Sequence, residues 1–269
     1  MVKIAVIGAA GQIGTPLILL CKASDLVTGH LPANGGLTKA LNGADIVVVT
    51  AGIARKPGMT RDDTNASIIR DVFTEIASTC PGAISCVVTN PVNSTVPVAA
   101  EALKSARVFE ATRLFGVTTL DIVRASTFAA QALGGNADQD PKRRKIPCAN
   151  NPGVQFGGDE IVKSKQGAGS ATTCMAYAGF RFVKTLLAAR RGEAVCEEAY
   201  VCVPGVPGGK EIAAQLGVDY FAVRIQLGKG SATKALPIGV ISEGGKNLLD
   251  VAIKELKVNV ATGLYFLAA

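Results

Sequence analysis

Four groups of residues have types and spacings that could do chemistry. Gly8-Ala9-Ala10-Gly11-Gln12-Ile13-Gly14 is a G-x-x-G-x-x-G loop. Placed between a strand and a helix, such a loop makes a tight turn and lets backbone approach a pyrophosphate, whose charge the free N–H groups of the helix start receive. Arg55 and Arg61 stand six apart in a stretch containing Pro57 and Gly58. A guanidinium fork can hold a carboxylate through two parallel hydrogen bonds, although a solvated basic loop is the commoner fate of such a stretch. Asp121 and Arg124 are three apart, hence on one face if helical, where a plain surface ion pair is the bland alternative. Asn90 precedes a proline at the end of an apolar run, where parallel sheets bind ligands. A single histidine, His30, leaves little for general-base chemistry and none for multi-histidine metal sites. Seven cysteines without a C-x-x-C pair argue against both a disulfide framework and a thiolate zinc site, so no metal is expected.

The elements that would position these groups follow from periodicity. Val2–Ile7, Asp45–Thr50 and Ile84–Thr89 are short apolar runs of the kind that fill parallel strands buried on both faces. Pro16 to Leu20 reads as a helix start. Ile68, Ile69, Val72, Phe73, Ile76 and Ala77 mark one helical face. Alternating strands and helices imply an α/β, Rossmann-type parallel sheet domain over residues 1–118. The remainder, 119–269, reads as an α+β substrate domain with its own core. It has helices at 119–133 and 170–191, strands at 199–203 and 220–227, and a C-terminal helix with Leu248, Leu249, Ala252, Ile253, Leu256 and Val260 on its apolar face. Residues 134–153 read as a loop.

The 28 Lys+Arg against 21 Asp+Glu give a net charge of +7, which raises the question of nucleic acid. Only Lys142-Arg143-Arg144-Lys145 is dense, and no aromatic residues interleave with basic ones, so nucleic acid is not expected as a partner. No apolar run approaches the ~20 residues of a membrane span, and no presequence precedes the first strand, so a non-membrane protein is expected.

Five segments together resemble the lactate/malate dehydrogenase family, in its mitochondrial-type malate dehydrogenase branch. They are Gly8–Gly14, Ala51–Arg61, Thr89–Val96, Leu114–Arg124 and Gly167–Thr172, in order along nearly the whole chain. The resemblance implies NAD-dependent oxidation of malate to oxaloacetate and the reverse by hydride transfer, a place in the tricarboxylic acid cycle, and a homodimer. It implies that Arg55, Arg61 and Arg124 bind the dicarboxylate together with Asn90, and that Asp121 orients a catalytic histidine. Arginine at 55 favours malate over lactate, since lactate dehydrogenases carry an uncharged glutamine there. Cofactor contacts are implied for Gly8, Gly11, Gln12, Ile13, Gly14, Asn65, Val88, Thr89, Asn90 and Met175. Met175 alone would read as core filler.

Three departures accompany the resemblance. The interval Gln131–Gly157, where the family keeps its catalytic histidine, has none. The strand ending in a ribose-binding acid is absent, Asp25 lying only 11 residues past Gly14, and losing a central strand of this kind would destroy a parallel sheet. Arg61-Asp62-Asp63 meets Thr64-Asn65 without the usual three-residue step. Internal segments missing from the sequence, an altered chain, or a nucleotide-binding relative without turnover would each account for this, and the first is preferred. An intact mass near 27.6 kDa would exclude it. If the chain is complete as written, little or no oxaloacetate reduction is expected. The alternatives kept open are that impaired nucleotide binder and a lactate-type 2-hydroxyacid dehydrogenase. The pI of about 9.1 suits an organelle matrix, mitochondrial or peroxisome-like, with the cytoplasm as the alternative.

Overall fold

The computed structural model describes residues 2–21, 28–53, 61–132, 154, 156–166 and 171–268. Arg55, Asp25, the basic run 142–145, the 134–153 stretch and Gly167–Ser170 lie outside them.

Apolar runs become strands where expected: β1 Ile4–Ile7, β2 Ile46–Val49, β3 Ile84–Val87. β2 and β3 are buried at every position, as strands covered on both faces must be. Between them run α1 Gly14–Cys21, α2 Gly36–Leu41 and α3 Arg61–Thr79. α4 Val92–Ser105 leads to β4 Leu114–Val117, and α5 Thr119–Ala132 follows. The second half adds α6 Gly157–Ser164, α7 Thr172–Arg190, β5 Val195–Cys202, α8 Gly209–Leu216, β6 Tyr220–Leu227, β7 Ala232–Ala235 and α9 Glu243–Ala268.

The seven strands form one sheet in sequence order, parallel from β1 to β4 and antiparallel from β4 to β7. The two halves meet where Gly116 of β4 pairs with Tyr200 of β5. The sheet thus runs on from the first half into the second. One cluster lies on one face of the sheet, where Leu17, Ile46, Val48, Ile84 and Phe115 meet Phe182 and Leu186 of α7 and Val201 and Ile225. On the other face Val47, Val49, Val87 and Leu114 meet Ile69, Phe73 and Ile76 of α3, Val96 of α4 and Tyr200. Alternate residues of β2 serve opposite clusters because successive strand side chains point to opposite faces. Phe115 and Phe182 meet across the first with ring centroids 5.8 Å apart at 56°.

Two expectations change. β1 is the outermost strand among the described residues, so a strand following α1 would add at an edge and its loss spares the centre of the sheet. Lys3 and Ile7 turn their carbonyls toward β2, accepting from Ile46 N and Thr50 N at 3.2 and 2.9 Å. Ile4 and Val6, between them, turn theirs away from β2. On α9 the buried face is narrower than the sequence suggests. Leu249, Ile253, Leu256 and Val260 pack inward, while Leu248 and Ala252 are exposed because α9 lies against α4 and α3 along a single stripe. No helix among the described residues is long and apolar enough to cross a membrane.

Candidate active site

The C-terminal ends of β1 to β4 lie side by side, and the glycine loop, Asn65, Asn90, Asp121 and Arg124 lie on the segments that follow them. At the end of β1 the chain turns through Gly8 at φ +87°, a conformation that suits glycine. A Cβ on Gly8 would stand 2.6 Å from the amide nitrogen of Ala51, just beyond β2. A Cβ on Gly14 would stand 2.2 Å from the Gly8 carbonyl oxygen, so α1 rests directly on the turn. Gly11 N donates to Gly8 O at 3.0 Å, and Thr15 Oγ1 to Ala9 O at 3.1 Å, which fixes the loop. Ala10, Gly11 and Gln12 are left exposed, and Ile13 half-buried. Bare backbone at a helix start, with no side chain over it at Gly11, fits the pyrophosphate of a dinucleotide.

Three side chains then tie each strand end to the next. Thr50 Oγ1 donates to Ile7 O at 2.9 Å, joining β2 to β1. Thr89 Oγ1 donates to Ala51 O at 2.7 Å, joining β3 to β2. Asn65 of α3, 2% exposed, sits between the two chains that leave β2 and β3. Its Oδ1 accepts from Ile53 N at 2.8 Å, and its Nδ2 donates to Asn90 O at 2.7 Å. Thr95 Oγ1 reaches back to Thr89 O at 2.8 Å, closing the turn through the cis Asn90–Pro91 bond. Val88 and Thr89 are buried, leaving their backbone near the rim, and Asn90 is exposed. Met175, in the first turn of α7, is 8% exposed within the sheet's first core cluster.

One strand further on, α5 follows β4 and carries both Asp121 and Arg124, as the spacing predicts. Arg124 Nη1 lies 3.4 Å from Asp121 Oδ1. The arginine is mostly covered, its side chain 17% exposed, while Asp121 is 62% exposed. A Cβ on Gly157, at the start of α6, would be 3.4 Å from Arg124 Nε, so the guanidinium stem lies against bare backbone. Surrounding protein raises the Asp121 carboxyl above its ordinary value, and the Arg124 charge and hydrogen bond work against that rise. Arg61 opens α3. His30 is exposed ahead of α2, which packs on β1 and α3, so β2 and β3 separate it from α5.

The rim thus brings together the glycine loop, Asn65, Asn90, Asp121 and Arg124. Thr50, Thr89 as a side-chain brace, Thr95 and Gly157 were not foreseen in these roles. A signal existed for two of them: the runs Ile46–Val49 and Ile84–Val88 both end in threonine.

Both the sequence and the fold are similar to those of known proteins. Residues 26–116 match the lactate/malate dehydrogenase NAD binding domain, and residues 151–267 the family's alpha/beta C-terminal domain. The mitochondrial malate dehydrogenase of Schizosaccharomyces pombe is 41% identical over 319 aligned positions, covering 99% of this chain and 92% of that protein. The human mitochondrial malate dehydrogenase is 38% identical, covering 97% and 90%. A malate dehydrogenase of Shewanella amazonensis is 38% identical, covering 98% and 99%. The first alignment is longer than the chain itself, 319 positions against 269 residues, so that relative carries internal segments this chain lacks. Among solved structures, apo malate dehydrogenase from Picrophilus torridus shares the fold with a TM-score of 0.80 at 22% identity, covering 99% and 98%. Lactate dehydrogenase from Eimeria maxima, solved with NADH and oxamate, shares it at 0.77 and 19%, covering 99% and 95%. The chain belongs to the lactate/malate dehydrogenase family of NAD-dependent oxidoreductases.

Proposed function

We propose that this chain interconverts malate and oxaloacetate with NAD; Arg124 is the observation that supports a carboxylate substrate, and the arginine at 55 supports malate over lactate. The Arg124 guanidinium, mostly covered and braced on Gly157, stands one strand from Asn90 at the nucleotide rim. Bound NAD supplies the hydride acceptor or donor. The Gly8–Gly14 loop and the start of α1 hold its pyrophosphate, with Gln12 and Ile13 on the exposed side and Val88, Thr89 and Met175 lining the approach. Arg124 holds the carboxylate next to the reacting carbon. Arg55 and Arg61 hold the second carboxylate, which a monocarboxylate such as pyruvate lacks. Asn90 orients the substrate at the strand end.

The reacting oxygen also exchanges a proton. Among the described residues Asp121 is the carboxylate paired with Arg124, and His30 lies beyond β2 and β3 from it. Positioned proton transfer contributes about 10²–10⁴ to a rate, so a chain complete as written is expected to show little or no turnover. The 38–41% identity to malate dehydrogenases over nearly the whole chain supports the reading. Relatives named as mitochondrial and the basic pI support a mitochondrial matrix location and a role in the tricarboxylic acid cycle, and the family likeness supports a homodimer.

The test is NADH oxidation by protein of verified mass, with oxaloacetate and pyruvate compared. Oxaloacetate is expected to exceed pyruvate in kcat/KM by at least about 100-fold, the scale set by leaving charged binding groups unpaired. Preference for pyruvate would select a lactate-type enzyme. NADH binding without turnover of either would select a nucleotide-binding relative.

A further inference from the structure

We infer that Thr15 is a positioning residue for the bound dinucleotide, turning one peptide of the glycine loop through a side-chain bond rather than touching the ligand. The inference rests on the dinucleotide site proposed above. A trans peptide carries its C=O and the next residue's N–H on opposite sides, so holding a carbonyl aims the following amide the other way. Three carbonyls of the loop are held. Gly8 O accepts from Gly11 N at 3.0 Å and from Thr50 Oγ1 at 3.3 Å. Ala9 O accepts from Thr15 Oγ1 at 3.1 Å, and Gly11 O from Thr15 N at 3.0 Å. The amides that share those peptide planes belong to Ala9, Ala10 and Gln12, and none has an acceptor among the described residues. Backbone amides left free around a turn in this way form a concavity that suits an anion.

Of these clamps only the one on Ala9 depends wholly on a side chain. The bonds from Gly11 N and Thr15 N are backbone bonds, and Gly8 O keeps its partner Gly11 N without Thr50. Ala9 is within reach because Gly14 has no side chain. A Cβ on Gly14 would lie 2.8 Å from Ala9 Cα, so α1 comes close enough for the hydroxyl of its next residue to cross to the loop. A threonine hydroxyl has one proton to donate, and ionised phosphate oxygens only accept. With that proton on Ala9 O, Thr15 has none for the nucleotide. What the bond presents instead is the Ala10 amide, on the exposed stretch Ala10 to Gln12.

Fluorescence titration with NADH of the wild-type chain, Thr15→Val and Thr15→Ser tests this. The valine keeps the branched shape and removes the donor, and the serine keeps the donor. Thr15→Val is expected to weaken NADH about fivefold at an unchanged number of sites per chain, the factor one hydrogen bond is worth, with Thr15→Ser within about twofold of wild type. Fewer sites at unaltered affinity would mark a merely structural role and overturn the inference. Thr15→Ala takes the place of the valine variant if that one does not fold. A second measurement, without nucleotide, separates positioning from direct contact. The NMR order parameter of the Ala10 amide, about 0.85 where backbone is rigid, is expected to fall in Thr15→Val and hold in Thr15→Ser. An Ala10 amide equally ordered in all three would mean that the hydroxyl acts on the ligand itself, against the inference. A wild-type chain that binds no NADH would overturn the dinucleotide reading and this inference with it. Binding that Thr15→Val leaves unaltered would remove the inference alone.

Discussion

Gly14 carries no side chain because the space is taken. One carbon added there would sit 2.2 Å from the Gly8 carbonyl oxygen and 2.8 Å from Ala9 Cα, both backbone atoms. Gly14→Ala is therefore expected to push α1 off the turn, costing about 1–3 kcal/mol of stability as overpacking does. It should also weaken NADH binding at least tenfold, measured by urea denaturation and titration. Gly11→Ala is the control, its added carbon 3.2 Å from Gly8 O and otherwise free, with a smaller loss of stability expected. An unchanged α1 in Gly14→Ala would show that the loop can move aside. At this scale the sequence was readable where spacing itself carries the chemistry, as in the glycine loop and in the Asp121–Arg124 pair on α5. It was silent on which way a buried amide points. Asn65 could be named as a site residue by resemblance, but its bonds to Ile53 and Asn90 depend on two chain ends 12 and 25 positions away.

α4 holds a proline in its interior, Pro97, which leaves the carbonyl four residues earlier without a helical donor. That carbonyl belongs to Asn93, and the Tyr200 hydroxyl of β5 donates to it at 3.3 Å. The tyrosine is 2% exposed and stacks on Tyr220 with ring centroids 6.2 Å apart, so it is held in place for this bond. Tyr200→Phe keeps the ring and removes the donor. We expect a loss of about 1–3 kcal/mol, the cost of a buried acceptor left unmade, seen as a lower urea midpoint with unchanged slope. A neutral effect would mean that another group satisfies Asn93. Elements with strong periodicity, β2, β3, α3 and α7, were legible in the sequence. β4 and β7, though no shorter than β2 and β3, were not. β4 includes a glycine pressed against Val92 and Val96, and β7 buries only Ala232 and Ala235 around an exposed Thr233 and Lys234, too little apolar surface to signal a strand.

For the whole molecule, the change at residue 118 from alternating strands and helices to a different pattern was legible, and a boundary there is a natural reading. Pairing between β4 and β5 has no local signal, since the partners are more than eighty positions apart. Nor does the ion pair of Arg190 with Asp45, 2.9 Å across 145 positions, which fastens the end of α7 to the strand-turn before β2. The consequence of one sheet running through both halves is cooperativity. The two halves are expected to melt together, because the cluster around Phe115, Phe182 and Ile225 draws its lining from both. Calorimetry on the intact chain is expected to give a single transition whose van't Hoff and measured enthalpies agree. Two resolved transitions would mean independent units. Expressed separately, 1–118 would bare the β5 side of β4 and lose Phe182 and Leu186 from above Phe115. The second half would keep its hairpins without the parallel strands that anchor them.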